Sequence, residues 1–392
     1  METADVVIVG GGIVGSAIAY FLSADAAYHG RRIVLVERDP SFAQASTSRS
    51  AGGLRQQFST RENIALSQFT LALFRDLETA FGAGSDVGFR EQGYLIMASP
   101  EARTVLAENV ALQQSMLADI ELLEATKLVR RFPWAAPDGV AAAGFGRSGE
   151  GWFDPPSLAS LFRNAAKASG VAILHDRVTG IDARGRVDAV RLASGAGIAC
   201  DALVNAAGPW AGELAALAGV PLPVEPRKRY VYVIDCREAS DALHRAPLTV
   251  DPSGVWFRPE GRFFLCGKSP AASEEPAATD LDAIDHAFFE SEVWPRLAAR
   301  VPAFEGVKVV NAWAGYYDYN TLDQNAVIGA HPTIANLYFA NGFSGHGAQQ
   351  AAGAGRAVAE LIVHGAFQTI DLTRLGYGRV AEVRPLFERN VI

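Results

Sequence analysis

A short apolar run, Asp5-Val6-Val7-Ile8-Val9, leads straight into Gly10-x-Gly12-x-x-Gly15 and then into a helical stretch from Ile13 to Ser23. This constrains the chain more than any other feature. Gly10 permits a tight turn, Gly12 lets a pyrophosphate approach the backbone, and Gly15 allows close helix–strand packing. The first helical turn, with Ile13 and Val14, then offers unpaired N–H groups and a positive dipole end to the phosphates. A second apolar strand, Arg32 to Glu37, ends on a carboxylate 22 residues past Gly15, with Arg38 beside it. Glu37 is placed to accept from adenosine ribose hydroxyls and disfavours a 2′-phosphate. The βαβ unit implies a parallel sheet with helices on both faces.

NAD and FAD both suit that unit, and the rest of the chain favours FAD. A flavin is long and needs contacts far from the first turn. The strand Ala202–Ala206 ends in Ala207, Gly208, Pro209 and Trp210; the strand Leu337–Ala340 ends in Gly342-Phe343-Ser344-Gly345-His346-Gly347, which opens a helix from about Ala348 to His364. The N-terminus of that last helix suits the pyrimidine ring, where negative charge collects on reduction. No second complete glycine motif follows a strand: Gly195-x-Gly197 and Gly353-x-Gly355 lack the third glycine. The hydride must therefore come from the substrate itself, which disfavours monooxygenases and pyridine-nucleotide reductases.

Composition agrees. Glycine supplies 38 of 392 residues, above the average of roughly 7%, without any collagen-like period. A net charge of −8 and no basic block argue against a nucleic-acid partner. Cys200, Cys236 and Cys266 are far apart, with no C-x-x-C, so neither a disulfide framework nor a metal site is expected. The acidic N-terminus is not of secretory type, and no run of about 18 apolar residues predicts a membrane span; a cytoplasmic protein is expected. Segment 41–60 reads as a functional loop, residues 61–82, 101–131, 155–169 and 280–300 as helical, and 187–208 as a hairpin. Several strands fall between 227 and 270.

Together, Gly10–Gly15, Glu37, the loop Ser46-Thr47-Ser48-Arg49-Ser50-Ala51-Gly52-Gly53, Asn205–Trp210 and Gly342–Gly347 resemble the D-amino-acid oxidase superfamily over nearly the whole chain. Glycine oxidase, monomeric sarcosine oxidase and D-arginine dehydrogenase are members. Two stretches, Gly52–Phe58 and Trp313–Asn325, are most similar to the FAD-dependent oxidoreductase domain-containing group, which includes a respiratory complex I assembly factor. The resemblance implies an α/β fold: a Rossmann-like FAD-binding domain of glutathione-reductase type (1–85, 145–222 and 312–392) with an inserted antiparallel-sheet substrate domain (86–144 and 223–311). It implies that the loop from Ser46 to Gly52 contacts FAD, that Val178 bonds the adenosine end through its backbone, and that Gly315 approaches the flavin. The usual reaction is hydride transfer from the carbon beside a neutral amine to flavin N5, followed by imine hydrolysis. Such chemistry depends on positioning more than on a strong base.

The chain departs from its relatives at informative points. Tyr316 stands where sarcosine oxidase attaches flavin through a cysteine, so noncovalent FAD is expected. Tyr317 stands where glycine oxidase and D-arginine dehydrogenase grip the substrate carboxylate with an arginine. Leu265 falls near the lysine credited with oxygen activation, with Lys268 three residues on. Gln349 replaces a lysine close to the flavin. Arg55 and Arg258 are then the cations best suited to a carboxylate. Tyr230, Tyr232, Trp256, Tyr317 and Tyr319 are candidate walls of an aromatic amine pocket, and His346 a cofactor-positioning residue. The expected activity is oxidation of an amino acid or secondary amine, with O₂ or an electron carrier as acceptor. The alternatives are a flavin-bound assembly protein with little turnover and a 2-hydroxy acid dehydrogenase.

Overall fold

Val6 to Ile8 are fully buried, which a strand achieves only inside a sheet covered on both faces. The computed structural model describes residues 2–389. Its elements that bear on the site are β1 (Glu2–Val9), α1 (Ile13–Ala24), β2 (Ile33–Glu37), β3 (Tyr94–Ala98), α2 (Pro155–Ala168), β4 (Ala172–His175), β5 (Gly197–Asn205), β6 (Val224–Asp235), β7 (Trp256–Glu260), β8 (Phe263–Gly267), β9 (Lys308–Asn320), β10 (Val327–Ala330), β11 (Leu337–Asn341) and α3 (Gly347–His364). In the first sheet β1 lies between β5 and β2, in the order β10-β11-β5-β1-β2-β4. Every pair along it is parallel except β10 with β11.

One face of this sheet packs on α1, α2 and α3, burying Ile8, Ala17, Ile18, Leu22, Phe162 and Val358. The other face differs from the expected second helical layer. A β-hairpin, Val178–Ala183 with Val187–Leu192, covers Val7, Val34 and Leu203 together with the short helix Ala211–Ala216.

The second sheet has eight strands, starting β9-β6-β8-β7 and continuing through Leu248–Val250, β3, Ala142–Gly146 and Ile120–Glu124. The domain edges expected at 145 and 312 fall inside strands of this sheet. The helix expected over 101–131 is interrupted: Arg103–Ser115 and Ala125–Arg131 are helical, and Ile120–Glu124 between them is an edge strand. Arg229 pairs with Gly315 and Arg227 with Tyr317 across β6 and β9. Alternation then divides β6. Its odd residues share a face with Trp313, Gly315 and Tyr317, while Tyr230 and Tyr232 join the core behind, with Ala314, Cys266 and Phe289. Among the described residues no helix is long and apolar enough to cross a membrane, and no group of metal-ligating side chains occurs.

Candidate active site

The turn after β1 closes because two glycines meet. Gly10 has φ +104° and accepts the approach of Gly15, where a Cβ would lie 1.9 Å from the Gly10 carbonyl oxygen. The turn is braced from both sides: Gly11 N–H donates to Glu37 Oε2 (2.7 Å) and Ile13 N–H to Thr47 Oγ1 (3.0 Å). Glu37 also accepts from the Asp39 N–H at 2.8 Å. Arg163, which sequence reading passed over, donates to the Gly11 carbonyl at 3.3 Å.

From this turn a cavity of about 490 Å³ runs to the start of α3, and residues of both sheets line it. Gly10, Gly12, Ile13, Val14, Glu37, Arg38, Val178, Ala207, Gly208 and Trp210 line one end. Ser46, Thr47, Arg49, Ser50, Ala51 and Gly52 line the middle, and Gly315, Tyr317, Phe343, Gly345, His346, Gly347 and Gln349 the far end. Arg38 stacks its guanidinium 3.4 Å from the centre of the Trp210 ring. Gly15, Ser48, Gly342 and Ser344 do not line the cavity. Gly15 serves packing, and Ser344 supports the wall from behind by accepting from the Asn320 N–H (3.0 Å). The cavity fits an extended dinucleotide: a Gly-rich helix start at one end, and at the other the N-terminus of an eighteen-residue helix. Gly345, at φ +97°, has no room for a side chain, since its Cβ would lie 2.5 Å from the Tyr317 ring.

The far end is polar and buried. Arg55 is 1% exposed and lines the cavity. One terminal nitrogen donates to the Gln57 carbonyl, and the other lies 3.0 Å from His346 Nε2. Its guanidinium stacks 4.2 Å from the Phe58 ring centre, and the Arg55 backbone N–H donates to Gln349 Oε1 at 2.8 Å. Burial, then the Arg55 charge, hold the His346 pKa well below the usual histidine range, so the imidazole is neutral. Asp318 lines the same end and accepts from the Phe343 N–H (3.1 Å); burial pushes its carboxyl up to about 6.

Three candidates belong elsewhere. Tyr232 is fully buried and donates to the Asp285 carbonyl at 2.6 Å. Its ring packs on Phe289, 5.0 Å between ring centres, and it does not line the cavity, so it is no pocket wall. Tyr319 lies outside the cavity, its hydroxyl engaged by Gln324 Nε2 (2.5 Å) and its ring covered by Arg227. Arg258 donates to the Ala51 carbonyl (3.0 Å), the Pro259 carbonyl and Glu260. It fastens the loop that lines the cavity and does not reach into it. Tyr230 and Trp256 do line the cavity, as do Tyr94 and Arg229, which sequence reading missed. Strand parity was the available signal for Arg229.

Behind Arg55 lies Glu150, fully buried, accepting from the Gln56 N–H (2.5 Å) and from Gln57 Nε2 (2.8 Å). Burial pushes its carboxyl up to about 7, against those bonds and the Arg55 charge. A raised pKa means that protonation favours the fold. The contribution is complete below the ordinary carboxylate range and is lost as pH rises through about 7. Glu150→Gln, permanently neutral, is therefore expected to gain stability relative to the native protein between about pH 5 and about pH 8. Denaturant titrations across that range test it, and a constant gap would exclude Glu150 as the titrating group.

The family model described as FAD dependent oxidoreductase (DAO) matches residues 5–361. FAD-dependent oxidoreductase domain-containing protein 1 of Xenopus laevis is 43% identical, over 100% of this chain and 85% of its own length. Mitochondrial dimethylglycine dehydrogenase of Rattus norvegicus is 27% identical, over 96% of this chain and 45% of its own. The crystal structure of L-proline dehydrogenase from P. horikoshii matches with a TM-score of 0.84 and 26% identity, covering 97% of this chain and 98% of that one. With the glycine turn, the braced carboxylate of Glu37 and the cavity that joins that turn to the start of α3 already in view, these matches establish that the chain belongs to the DAO family of FAD-dependent oxidoreductases.

Proposed function

We propose that this chain oxidises the C–N bond of an amino acid or secondary amine, with FAD held noncovalently in the cavity. The observation that carries this reading is a single cavity joining a dinucleotide-type turn at Gly10–Gly15 to a buried cationic end built by Arg55, His346 and Gln349. Relatives named for proline and dimethylglycine support an amino-acid nitrogen as the donor. Noncovalent attachment is supported by the lining: among the described residues no cysteine reaches the cavity, and its histidine, His346, has Nε2 engaged with Arg55.

When bound, FAD would supply the two-electron acceptor, taking hydride from the carbon next to nitrogen. Arg55 keeps a fixed positive charge where negative charge develops, in a site with little water to screen it. His346 adds no second charge there because it is neutral. Tyr317, Tyr230 and Trp256 supply aromatic surface that orients the amine and excludes water. Gly10, Gly12, Ile13, Glu37, Gly345 and Gly347 would hold the FAD, the imine would be hydrolysed in water, and O₂ or a carrier would accept the electrons.

Anaerobic mixing of the holoenzyme with D-, L- and N-methyl amino acids is expected to bleach the visible flavin absorbance with at least one of them. If only 2-hydroxy acids do so, the donor is an alcohol. If nothing does, the protein is a flavin-bound assembly factor and the proposal fails. With the substrate so found, Arg55→Lys is expected to lower kcat/KM at least about tenfold, because an ammonium cannot make the planar contacts to Gln57 and His346.

A further inference from the structure

Arg227 and Arg229 lie two residues apart on β6 and so share a face. Gly315 sits opposite Arg229 with Arg49 packed closely over it, 3.0 Å from where a Cβ would lie; the Arg229 guanidinium lies 5.4 Å from the centre of the Tyr317 ring. Arg229 lines the cavity that also holds Arg55 and His346, yet its side chain is only 10% exposed. What holds it is a carboxylate from its own chain. Glu275 Oε2 and Oε1 accept from the two terminal nitrogens of Arg229 at 2.7 and 2.8 Å, and Arg227 reaches the same carboxylate at 3.2 Å.

Two further observations mark this as a seat and not only a structural ion pair. First, Arg229 Nε is buried and has no hydrogen-bond partner. A guanidinium offers five donors, and leaving one buried and unpaired is unfavourable; an acceptor approaching from the Nε side would satisfy it. Second, Glu275 arrives on the connection that leaves β8 at Gly267, where Ala272–Glu274 form a single 3₁₀ turn. This connection is held at its far end, by Lys228 Nζ to the Ala283 carbonyl (2.6 Å) and by the Tyr232 hydroxyl to the Asp285 carbonyl (2.6 Å). A shallow hollow lined by Lys228, Tyr230, Pro276, Ala277 and Asp280 lies under it. Glu275 therefore sits on a strap with room beneath it.

We propose that Arg229, assisted by Arg227, is the anchor for a substrate carboxylate, and that Glu275 is an internal stand-in which that carboxylate displaces. This deepens the proposed amine oxidation by assigning it a substrate class, amines that carry a carboxylate. Exchange of one carboxylate for another keeps both arginines paired throughout. It avoids the large penalty of a buried, uncompensated charge, and the incoming group can also take the Nε donor that Glu275 leaves unused. The charge requirement falls on the ligand: an amide of the same shape offers no full negative charge to displace Glu275.

The test uses the holoenzyme and two unreactive probes, pyrrole-2-carboxylate and pyrrole-2-carboxamide, titrated by calorimetry and by perturbation of the visible flavin spectrum. Glu275→Gln is expected to tighten the carboxylate several-fold and leave the amide unchanged, because a neutral side chain competes less. Arg229→Gln is expected to weaken the carboxylate about tenfold or more, again without effect on the amide. Arg229→Lys, which keeps the charge but not the fork, falls between. Weaker carboxylate binding in Glu275→Gln, or equal changes for both probes, overturns the proposal and leaves a structural ion pair. So does failure of the carboxylate to bind both the native protein and Glu275→Gln. Binding is read without turnover. A charge-selective result in a protein that no amine bleaches would retain the anion seat while rejecting the amine reaction, and the reverse result would do the opposite.

Discussion

Gly15→Val is expected to give a protein with less than about a tenth of the native flavin content and a clearly lowered Tm, since overpacking a tight backbone contact costs about 1–3 kcal/mol or more. A side chain at position 15 starts 1.9 Å from the Gly10 carbonyl oxygen and also meets Ile8 at 3.4 Å. One of the two backbones must move. The helix cannot retreat, because α3 blocks it from the other side: a Cβ at Gly355 would already lie 2.6 Å from the Ala17 Cβ. The turn at Gly10 is no freer, since its N–H donates to the Val36 carbonyl at 2.9 Å. Relief must come from the very peptide groups that would face a pyrophosphate. The ratio of visible to ultraviolet absorbance of the purified protein reads the result, with Gly306→Ala as control, since nothing lies within 4 Å of a Cβ there. A Gly15→Val protein with native flavin content and Tm would remove the close approach as the reason for glycine.

Arg379→Ala is expected to cost about 3–5 kcal/mol, the range for stranding a buried charge. Arg379 and Asp323 are 6% and 0% exposed at their side chains. Asp323 takes the Arg379 Nε–H at 2.7 Å and also accepts from the Leu386 N–H (2.9 Å) and Asn320 Nδ2 (3.0 Å). Arg379 in turn donates to the carbonyls of Asn325, Ala326 and Leu375. Removing the guanidinium leaves an unpaired carboxylate and three carbonyls in a place water does not reach. Denaturant midpoints measure the loss. A deficit below about 1 kcal/mol would class the pair with surface ion pairs. Arg379→Met combined with Asp323→Asn should lose less than the two single changes summed, because the double variant carries no buried lone charge.

The dinucleotide end was legible because its information is local. Strand, glycine spacing, helix and Glu37 all lie within the first 37 residues, and each property is fixed by near neighbours. The stretch Gly342–Gly347 was legible for the same reason. Faces of the second sheet were not. Alternation tells which residues of β6 go together, but only the pairing of β6 with β9 and β8 decides that Arg229 meets the cavity and Tyr232 the core. Arg258 was read on the right strand, yet its guanidinium is taken up by the Ala51 carbonyl, 207 residues away. Ile120–Glu124 escaped notice because Glu and Leu are good helix formers, and a partner strand, Ala142–Gly146, overrides that preference. Asp323 and Asn325, in a stretch singled out for its resemblance, turn out to fasten the tail to the fold.

The order β11-β5-β1 in the first sheet has a further consequence for how the protein comes into being. The middle strand of that trio is made nearly two hundred residues after β1, and the outer one more than three hundred after it. At about 5–20 residues per second, β1 and its glycine turn wait on the order of 20–70 s for β11 and the helix that follows it. β2 covers one edge of β1 early, but the other edge stays open until β5 is made, and β5 in turn waits for β11. Flavin cannot be fully enclosed until the helix that starts at Gly347 has been made, so cofactor capture follows the synthesis of both sheets. A nascent chain stalled before Gly347 would be a target for chaperones and proteases and would lack a closed flavin site.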